Sequence, residues 1–471
     1  MNRSLFQYFT GKRQISNQKL SSYLHKNKLL LQENFESKMI ECITDKINFK
    51  NVLAVYNLAT TFKLPILAKQ VFEFIECSFA LVAETSTFLN TDYALISKII
   101  KSSNLHITSE LEVLNSVFAW LTYDVVERRK FTKKLLLKVR FSLFSDAALK
   151  QIVSKISYLT DDINEILKDV LKETYKRKDL GLYSKHRYCN DSKFSILVFG
   201  GCKKNKTIRK VNRVDVSRIK VKALSPMIKK RQSSVAVVLK DRVYIFGGWD
   251  DNEENFKSVE KYSVVTNSWS NVAEIYDARE LFCACAFMNK IFIIGGSREI
   301  VENKTCLQFD TNHHNWKIVA NMDEIRVGGC CVLFEEKIIV AGSYDLNLEE
   351  IRSVSSYDPI ADNWSPMADL INAKGCHNLV TIKNKLFVIG FGIMNHCEVY
   401  DSICKKFISL VSSPSIFISR FFRVTTIGSK IYVYDEGIVK CYDNDTGKWS
   451  YSTCTAVHEL LFFSCVKLFL F

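Results

Sequence analysis

The stretch RVYIFGGWDDNEENFKSVEKYSVVTNSW (residues 242–269) indicates the fold of the larger part of this chain of 471 residues. An apolar run ends at two glycines, a polar loop follows, and a second run contains Tyr262 and Trp269 seven positions apart. Short β-branched and aromatic runs separated by Asp, Asn and Gly are typical of antiparallel strands joined by turns. Such an order can belong to one site loop or to one unit of a repeat, and its recurrence distinguishes the two.

Three features of this stretch recur in the same order along the chain. Apolar runs end at glycine doublets or degenerate versions of them, at Gly200–Gly201, Gly247–Gly248, Gly295–Gly296, Ala341–Gly342, 386–392 and 431–437. Aromatic pairs seven residues apart follow at Tyr262/Trp269, Phe309/Trp316, Tyr357/Trp364, Tyr400/Phe407 and Tyr442/Trp449. Basic residues 46–48 positions apart stand at Arg231, Arg279, Arg326, Lys374 and Arg420. Three registers kept in phase indicate a structural repeat.

A unit of nearly 50 residues made of four short strands predicts one blade of a β-propeller. Six units are present, and the first (194–221) is the weakest because it lacks both aromatics. The C-terminal segment 457–471 aligns with 278–292, which predicts an added strand that closes the ring through the first blade, since an open edge strand invites aggregation. We expect the glycines to turn the chain close to neighbouring backbone and the aromatic pairs to fill the space between blades. The basic residues are expected to bond loop carbonyls.

Residues 1–190 lack the β pattern and place apolar residues at helical spacing, which predicts an all-helical array. The segment 105–145 opens with a capping-box pattern, in which Ser109 is followed by Glu112. The apolar face of the segment 48–79 is formed by Val52, Val55, Leu58, Ala59 and Phe62. That of the segment 105–145 is formed by Val113, Val117, Trp120 and Leu121.

The glycine doublet followed by Tyr-x6-Trp resembles the kelch repeat over about 280 residues. The helical half resembles the BACK domain, which lies between the BTB and kelch regions of kelch-like proteins. The matching residues are L-x-I-x-S-E-x-E-V at 105–113, Trp120, Arg128–Arg129 and KVRFSLFS at 138–145. Residues 5–43 resemble the last strand and helices of a BTB domain, so the resemblance implies an N-terminally truncated BTB domain.

The expected fold class is therefore a multidomain chain with an α part and an all-β part. We expect four regions: a BTB remnant at 1–45, a BACK helical domain at 46–155, a helical and basic linker at 156–192, and a six-bladed kelch β-propeller at 193–471 closed by a C-terminal strand. The densest basic run, 172–187, is interpreted as a solvated helix and linker.

The composition indicates packed domains. Apolar residues make up 47% of the chain, there are only 5 prolines, and the most apolar stretch (459–471) is too short to span a bilayer and contains Lys467. No secretory h-region is visible near Met1, so we expect a soluble cytoplasmic protein that does not bind membranes. The formal charge is +15, but no nucleic-acid module accompanies it, and we expect no nucleic-acid partner.

Catalysis, metals and cofactors are not expected. The 15 cysteines are scattered without a CxxC pair, which is typical of reduced thiols used as small core residues. The 8 histidines share no blade position, so they do not form the ligand set of a metal site. The chain also has no nucleophile elbow, P-loop or dinucleotide fingerprint in a strand–helix context. We therefore expect that the protein is not an enzyme.

The kelch-like resemblance implies a substrate-recognition adaptor of a cullin-3 ubiquitin ligase, whose propeller loops bind a protein. In the family, the BTB domain forms the dimer and much of the cullin-3 contact, and the first helices of the BACK domain add the rest of that contact. This chain would therefore keep only the part of the cullin-3 contact that residues 43–80 contribute. Carried over position by position, the binding residues are Cys202, Gln232, Trp249, Glu280, Ser297, Arg298, Val327, Ser343, Tyr344, Gly375 and Phe421. Trp249 is the leading candidate, as an exposed indole beside acidic residues. An actin-binding, cytoskeleton-associated protein and a decoy that does not recruit cullin-3 are the alternatives.

Overall fold

The structure is a computed structural model in which a helical region precedes a ring of six four-stranded sheets. It describes residues 47–144, 149, 152, 161–179, 187, 194–215, 220–252, 255–296, 304–345, 347–375, 377–382, 385–390, 397–410, 422–435, 438–453 and 464–469. The fold class expected from the sequence is confirmed. The BTB-like segment at 1–45 lies outside the described residues.

The helical region contains nine described α-helices. They are α1 (Val52–Thr61), α2 (Pro65–Cys77), α3 (Phe79–Val82), α4 (Ser86–Leu89), α5 (Tyr93–Lys101), α6 (Glu110–Tyr123), α7 (Val125–Arg128), α8 (Thr132–Leu136) and α9 (Asp161–Asp179). Short 3₁₀ turns lie at Arg129–Phe131 and Phe141–Leu143. The predicted segment 48–79 is thus divided, because Pro65 has no amide hydrogen to continue α1 and instead starts α2. Of its predicted apolar face, Val52, Val55 and Ala59 are buried, whereas Leu58 and Phe62 are half-buried.

Helix α6 forms the centre of the helical core. Its predicted apolar residues Val113, Val117 and Leu121 are all buried. The indole N–H of Trp120 donates to the Thr91 carbonyl at 2.8 Å, and the guanidinium of Arg128 lies 4.1 Å from the indole ring. A buried indole with a satisfied N–H and a cation over its face is a stabilising core element.

The N-cap of α6 differs from the predicted capping box. Ser109 is the N-cap, but its hydroxyl oxygen accepts from the Leu111 amide at 3.0 Å, not from the amide of Glu112. The Glu112 carboxylate accepts a hydrogen bond from the hydroxyl of Thr108. The position of the helix start was therefore predicted correctly, while the reciprocal partner was wrong.

The basic run 172–187 contains an exception to its predicted solvated character. Arg187 is buried, and its guanidinium forms an ion pair with Glu110 at 2.6 Å. It also donates to the Ile100 carbonyl at 2.7 Å. The interpretation as a solvated linker is therefore wrong at Arg187, because a buried carboxylate on α6 attracts this cation into the core.

Each blade of the propeller has four antiparallel strands, and we number the blades I–VI along the chain. Blade I contains β26 (Ser464–Phe469), β1 (Phe194–Phe199), β4 (Val211–Asp215) and β5 (Lys220–Leu224). Blade II contains β6 (Val235–Leu239), β7 (Arg242–Phe246), β8 (Val259–Ser263) and β9 (Ser268–Val272). Blade III contains β10 (Cys283–Phe287), β11 (Lys290–Ile294), β12 (Cys306–Asp310) and β13 (Asn315–Val319). Blades IV–VI contain β14 (Cys330–Phe334), β15 (Lys337–Ala341), β16 (Val354–Asp358) and β17 (Asn363–Pro366); β18 (His377–Ile382), β19 (Lys385–Gly390), β20 (Glu398–Asp401) and β21 (Lys406–Ser409); and β22 (Arg423–Ile427), β23 (Lys430–Asp435), β24 (Ile438–Asp443) and β25 (Lys448–Thr453). A two-stranded hairpin, β2 (Cys202–Lys203) with β3 (Lys206–Thr207), follows β1.

The C-terminal strand β26 (Ser464–Phe469) closes the ring. It pairs antiparallel with β1, with Phe194 opposite Phe469 and Phe199 opposite Ser464. Blade I therefore combines the last strand of the chain with the first three long strands of the propeller, in the order β26-β1-β4-β5. The two ends of the ring therefore meet in one sheet, and β1 is not left as an edge strand.

The aromatic pairs connect neighbouring blades. The indole N–H of Trp269 donates to the Ser225 carbonyl at 2.8 Å, and that of Trp364 donates to the Ala320 carbonyl at 2.8 Å. Each acceptor belongs to the end of the preceding blade. Within a blade, the rings of Tyr262 and Trp269 are 5.0 Å apart. The pair thus fills a blade interface and also ties it with a hydrogen bond.

The tryptophans of blades III and VI differ in their burial. Trp316 is buried, and its indole N–H donates to the Ala273 carbonyl at 3.1 Å, four residues after the tryptophan of blade II. Trp449 is only half-buried, and its buried indole nitrogen has no hydrogen-bond partner among the described residues. The corresponding position, four residues after Phe407, is 411, which lies outside those residues. The predicted packing role is observed at Trp449 as well, since its ring lies 5.2 Å from that of Tyr442.

The structure corrects the register of the degenerate doublet in blade IV. Ala341 belongs to β15, whereas Gly342 and Ser343 take the two left-handed positions, with φ of +53° and +111°. The doublet position is thus Gly342–Ser343 and not Ala341–Gly342. At the corresponding Gly248, with φ +79°, a Cβ would lie 2.4 Å from the Gln232 carbonyl oxygen, so the turn leaves very little room for a side chain.

Candidate functional site

The strand connections divide the propeller into two edges, because successive antiparallel strands run in opposite directions. Connections from the second to the third strand of a blade, and from one blade to the next, lie on what we call the loop edge. Turns between the first and second strands, and between the third and fourth, lie on the opposite turn edge. The predicted binding residues belong to the loop edge, since they follow a doublet or a basic residue.

Arg231 holds the loop edge of blade II together from inside. Its guanidinium donates to the carbonyls of Gly247 at 2.8 Å and Ser258 at 2.9 Å. It also forms an ion pair with Glu260 at 3.0 Å, and both side chains are fully buried. Glu260 in turn accepts from the amide of Ile228 at 2.7 Å. One buried cation therefore organises two loops and a neighbouring strand.

The same contact recurs in the next two blades. Arg279 donates to the Gly295 carbonyl at 3.1 Å, and Arg326 donates to the Gly342 carbonyl at 2.9 Å. At the fourth basic position, Lys374 forms an ion pair with the buried Glu398 at 3.2 Å. Arg420 lies outside the described residues. The arginines thus bond loop carbonyls, and their side chains are not available to a partner.

Trp249 and Tyr344 occupy corresponding positions directly after the doublets of blades II and IV. The amide of Trp249 donates to the Gln232 carbonyl at 3.1 Å, and the Gln232 amide donates back at 2.9 Å. Tyr344 and Val327 exchange the same pair of hydrogen bonds, at 2.9 and 3.1 Å. Both rings are half-buried, so Trp249 is less exposed than predicted. Two rigidly held aromatics on one edge suit the contact of a protein partner.

The other carried-over residues fall into three groups. Cys202, Glu280 and Val327 are half-buried on the loop edge and stay predicted contact residues. Ser297, Arg298 and Phe421 lie outside the described residues. The remaining three, Gln232, Ser343 and Gly375, are buried.

The three buried positions are not direct contact residues, because their side chains are used within the fold. The side-chain amide of Gln232 donates to the hydroxyl of Thr207 at 3.1 Å. Ser343 takes the second doublet position and has no exposed surface. Gly375 lies beneath the ring of Tyr344, where a Cβ would be 2.0 Å from the ring carbon Cζ. The prediction that these three residues contact a partner is thus corrected.

The turn edge contains a feature that the sequence did not reveal, because it receives the helical region. The Met288 amide, in the first turn of blade III, donates to the Thr108 hydroxyl at 2.9 Å. In blade IV, the Glu336 carboxylate accepts from the Glu110 amide at 3.0 Å and from the Ser109 hydroxyl. A propeller carboxylate therefore completes the cap of α6, and apolar residues of both regions share one core cluster.

We call the contact of Thr108, Ser109 and Glu110 with Met288 and Glu336 the joint. Burial makes this joint sensitive to pH. It raises the pKa of Glu336 to about 7, although the hydrogen bonds to Ser109 and Glu110 lower it. It also raises the pKa of Glu112 to about 7, with Lys240 and Glu84 as the charged groups nearby. A carboxyl whose pKa is raised on folding contributes its full stabilisation below pH 4.5, the ordinary pKa of a glutamate. This contribution is lost as the pH rises towards 7.

We expect the wild-type chain to lose thermal stability between pH 5 and pH 7.5, by up to about 1.4 kcal/mol per pH unit for each carboxyl. The double variant Glu112→Gln, Glu336→Gln should show a smaller loss over this range, because neither side chain can ionise. Thermal unfolding followed by intrinsic fluorescence checks this. Glu349→Gln, on an exposed loop, is the matched control and should follow the wild type. The same pH dependence in all three chains would contradict the assignment.

Two kinds of feature are absent from the part of the chain that the structure describes. Within it, no cluster of three or more His, Cys, Asp or Glu side chains has the geometry of a metal site. Among the same residues, no helix is both long enough and apolar enough to cross a bilayer.

Comparison with known proteins matches both regions of the chain. The BACK family model (BTB And C-terminal Kelch) matches residues 52–154, and the KLHDC2/KLHL20/DRC7 Kelch-repeats domain model matches residues 175–343. Kelch-like protein 7 of Rattus norvegicus is 26% identical over 465 residues, which cover 94% of this chain and 77% of the relative. Kelch-like protein 7 of Homo sapiens is 25% identical over 81% of this chain and 66% of its own length. Kelch-like protein 25 of Xenopus tropicalis is 24% identical over 66% and 55%.

Proposed function

Since this chain belongs to the kelch-like protein family, we propose that it is a non-catalytic substrate-recognition adaptor. Its propeller binds a protein through the loop edge, and its helical region links that protein to a cullin-3 ubiquitin ligase. The observation that carries the proposal is that the helical region contacts only one of the two edges of the propeller among the described residues. The helical region contacts the turn edge through Thr108, Ser109 and Glu110, which leaves the loop edge on the opposite face for a partner.

The joint makes this arrangement suitable for an adaptor, because it orients one partner relative to the other. The joint is built from hydrogen bonds and from an ion pair between Lys240 and Glu84 at 2.5 Å. Leu114 and Phe118 of α6 also belong to the same apolar core cluster as Phe287 of blade III. A substrate on the loop edge would therefore keep a defined orientation relative to the first helices, as transfer to a substrate side chain requires.

The cullin-binding surface is proposed on helices α1 and α2. In the family resemblance, the segment 43–80 supplies the contact that the BACK domain adds to the BTB domain. Ile66, in the first turn of α2, is 55% exposed, and Leu64 and Phe62 beside it are half-buried. A protruding aliphatic side chain with apolar neighbours is the kind of anchor that protein interfaces use.

The test is direct binding of purified cullin-3 to the immobilised chain, with a complete kelch-like relative as positive control. We expect Ile66→Glu to weaken binding by about tenfold or more, because the charge would be buried at the contact. Val126→Glu is the matched control, since Val126 is 87% exposed elsewhere in the helical region, and it should bind as the wild type does. If cullin-3 binds the relative but not this chain, the ligase half of the proposal is wrong.

A further inference from the structure

The loop edge of blade I is unusually basic. Residues 202–214 contain Lys203, Lys204, Lys206, Arg209, Lys210 and Arg213, and no Asp or Glu. The first three of these cations lie on the β2–β3 hairpin and are exposed, as are Arg209 and Lys210 directly after it. Lys230, in the connection from blade I to blade II, is exposed as well. We call Lys203, Lys204, Lys206, Arg209, Lys210 and Lys230 the hairpin patch.

The hairpin is held firmly against blade II. The Thr207 amide donates to the Asp251 carboxylate at 2.6 Å, and the Thr207 hydroxyl accepts from the Gln232 side chain at 3.1 Å. Hydrogen bonding to Thr207 lowers the pKa of Asp251, and the positive charges of Lys230 and Lys206 lower it further. Cations from both segments therefore converge on this corner, next to the loop that carries Trp249.

The corresponding loops of blades II and IV have the opposite charge. The blade II loop contains Asp250 and Asp251, and the blade IV loop contains Asp345, Glu349 and Glu350. Of the loops of blades I, II and IV that follow the second strand, the one in blade I is therefore the basic one. A charge pattern of this kind selects a partner by matching a local sector and repelling the wrong charge elsewhere.

We propose that the hairpin patch binds an acidic segment of the protein substrate, with Trp249 beside it contacting an apolar side chain of the same segment. This inference rests on the proposed function and specifies its substrate class. A short acidic peptide fits within the positive sector. Nucleic acid or an anionic bilayer lying across the loop edge would also meet the acidic loops of blades II and IV, which repel it.

The experiment measures binding of a fluorescein-labelled dodecapeptide of alternating Glu and Ser to the purified full chain by fluorescence anisotropy. The triple variant Lys203→Glu, Lys204→Glu, Lys206→Glu is expected to weaken binding by at least about tenfold, since close charge pairs at an interface are reversed. Binding by the wild type should also weaken between 50 and 300 mM salt, as exposed charges are screened.

The matched control is Lys385→Glu, Lys405→Glu, Lys406→Glu. It makes the same charge change at exposed lysines on the turn edge of blade V, and it should leave binding within about twofold of the wild type. Equal loss in both triple variants, or no binding of the acidic peptide over a Gln/Ser analogue, would overturn the proposal. So would equally tight, equally patch-dependent binding of a dodecathymidylate or of phosphatidylserine vesicles.

The outcome is independent of the ligase link. Absence of cullin-3 binding would leave peptide binding by the patch unaffected. Conversely, a chain that binds cullin-3 but not the acidic peptide would retain the adaptor role and lose this substrate class. Trp249→Ala supplies a second readout: it should weaken a peptide in which one Ser is replaced by Leu more than it weakens the parent peptide.

Discussion

Replacing Arg231 by Met is expected to destabilise the propeller by about 3–5 kcal/mol, which corresponds to a fall of about 10 °C in its unfolding temperature. The substitution leaves the buried carboxylate of Glu260 without its cation. It also removes the donor from the buried carbonyls of Gly247 and Ser258. Thermal unfolding followed by tryptophan fluorescence measures the effect.

Two further variants make this prediction specific. Arg352→Met removes an ion pair with Asp369 whose side chains are 64% and 47% exposed, so it should cost less than about 1 kcal/mol. Adding Glu260→Gln to Arg231→Met should recover part of the stability, because the buried charge is then gone. Similar losses for Arg231→Met and Arg352→Met would show that burial of the ion pair is not the cause.

A chain that ends at Ala456 is expected to lose the folded propeller. It lacks β26, so β1 loses an antiparallel partner along six residue pairs. The inner ring of strands is also interrupted, because β26 lies between β22 of blade VI and β6 of blade II. The loss should exceed about 5 kcal/mol, which is comparable to the whole stability of many domains. The exposed edge of β1 should also promote aggregation.

Soluble yield, size-exclusion chromatography and limited proteolysis measure this effect. The control is a chain that ends at Phe469, which keeps the complete β26 and should behave as the full chain does. If the chain that ends at Ala456 keeps the elution volume and protease resistance of the control, closure by β26 is not needed for the ring.

The sequence predicted best those features whose cause lies within one repeat. A doublet glycine such as Gly248 has a positive φ beside a close carbonyl, and a pair such as Tyr262/Trp269 fills one blade interface. The same local requirement appears in several blades, so its signal accumulates along the chain. For that reason the architecture and the blade count could be predicted from the sequence.

The hydrogen bonds of the aromatic pairs could not be predicted in the same way. The indole N–H groups of Trp269, Trp316 and Trp364 each donate to a carbonyl beyond their own repeat unit, at Ser225, Ala273 and Ala320. The acceptor is a backbone carbonyl of the preceding blade, so its presence depends on how that blade ends and not on the pair itself.

Exposure was predicted less well than position. The family resemblance predicted Gln232, Ser343 and Gly375 as contact residues of the loop edge, but neighbouring loops bury them. Whether a side chain is accessible depends on residues from other loops, such as Thr207 for Gln232 and Tyr344 for Gly375. The register of the degenerate doublet at Gly342–Ser343 was ambiguous for a similar reason, since only backbone conformation identifies Ser343 as the second residue.

Local sequence was enough to predict the repeat, the helical half and the start of α6, because glycine conformation, aromatic spacing and helix capping act over a few residues. How the two regions meet depends on the tertiary structure alone. Glu336 completes the cap of a helix that begins 226 residues earlier, and Lys240 reaches Glu84 across 156 residues. No local pattern encodes such contacts, since they arise when two separately folded surfaces pack together. The basic sector of the loop edge has the same origin, because folding brings Lys206 and Lys230 to one corner while placing the acidic loops elsewhere.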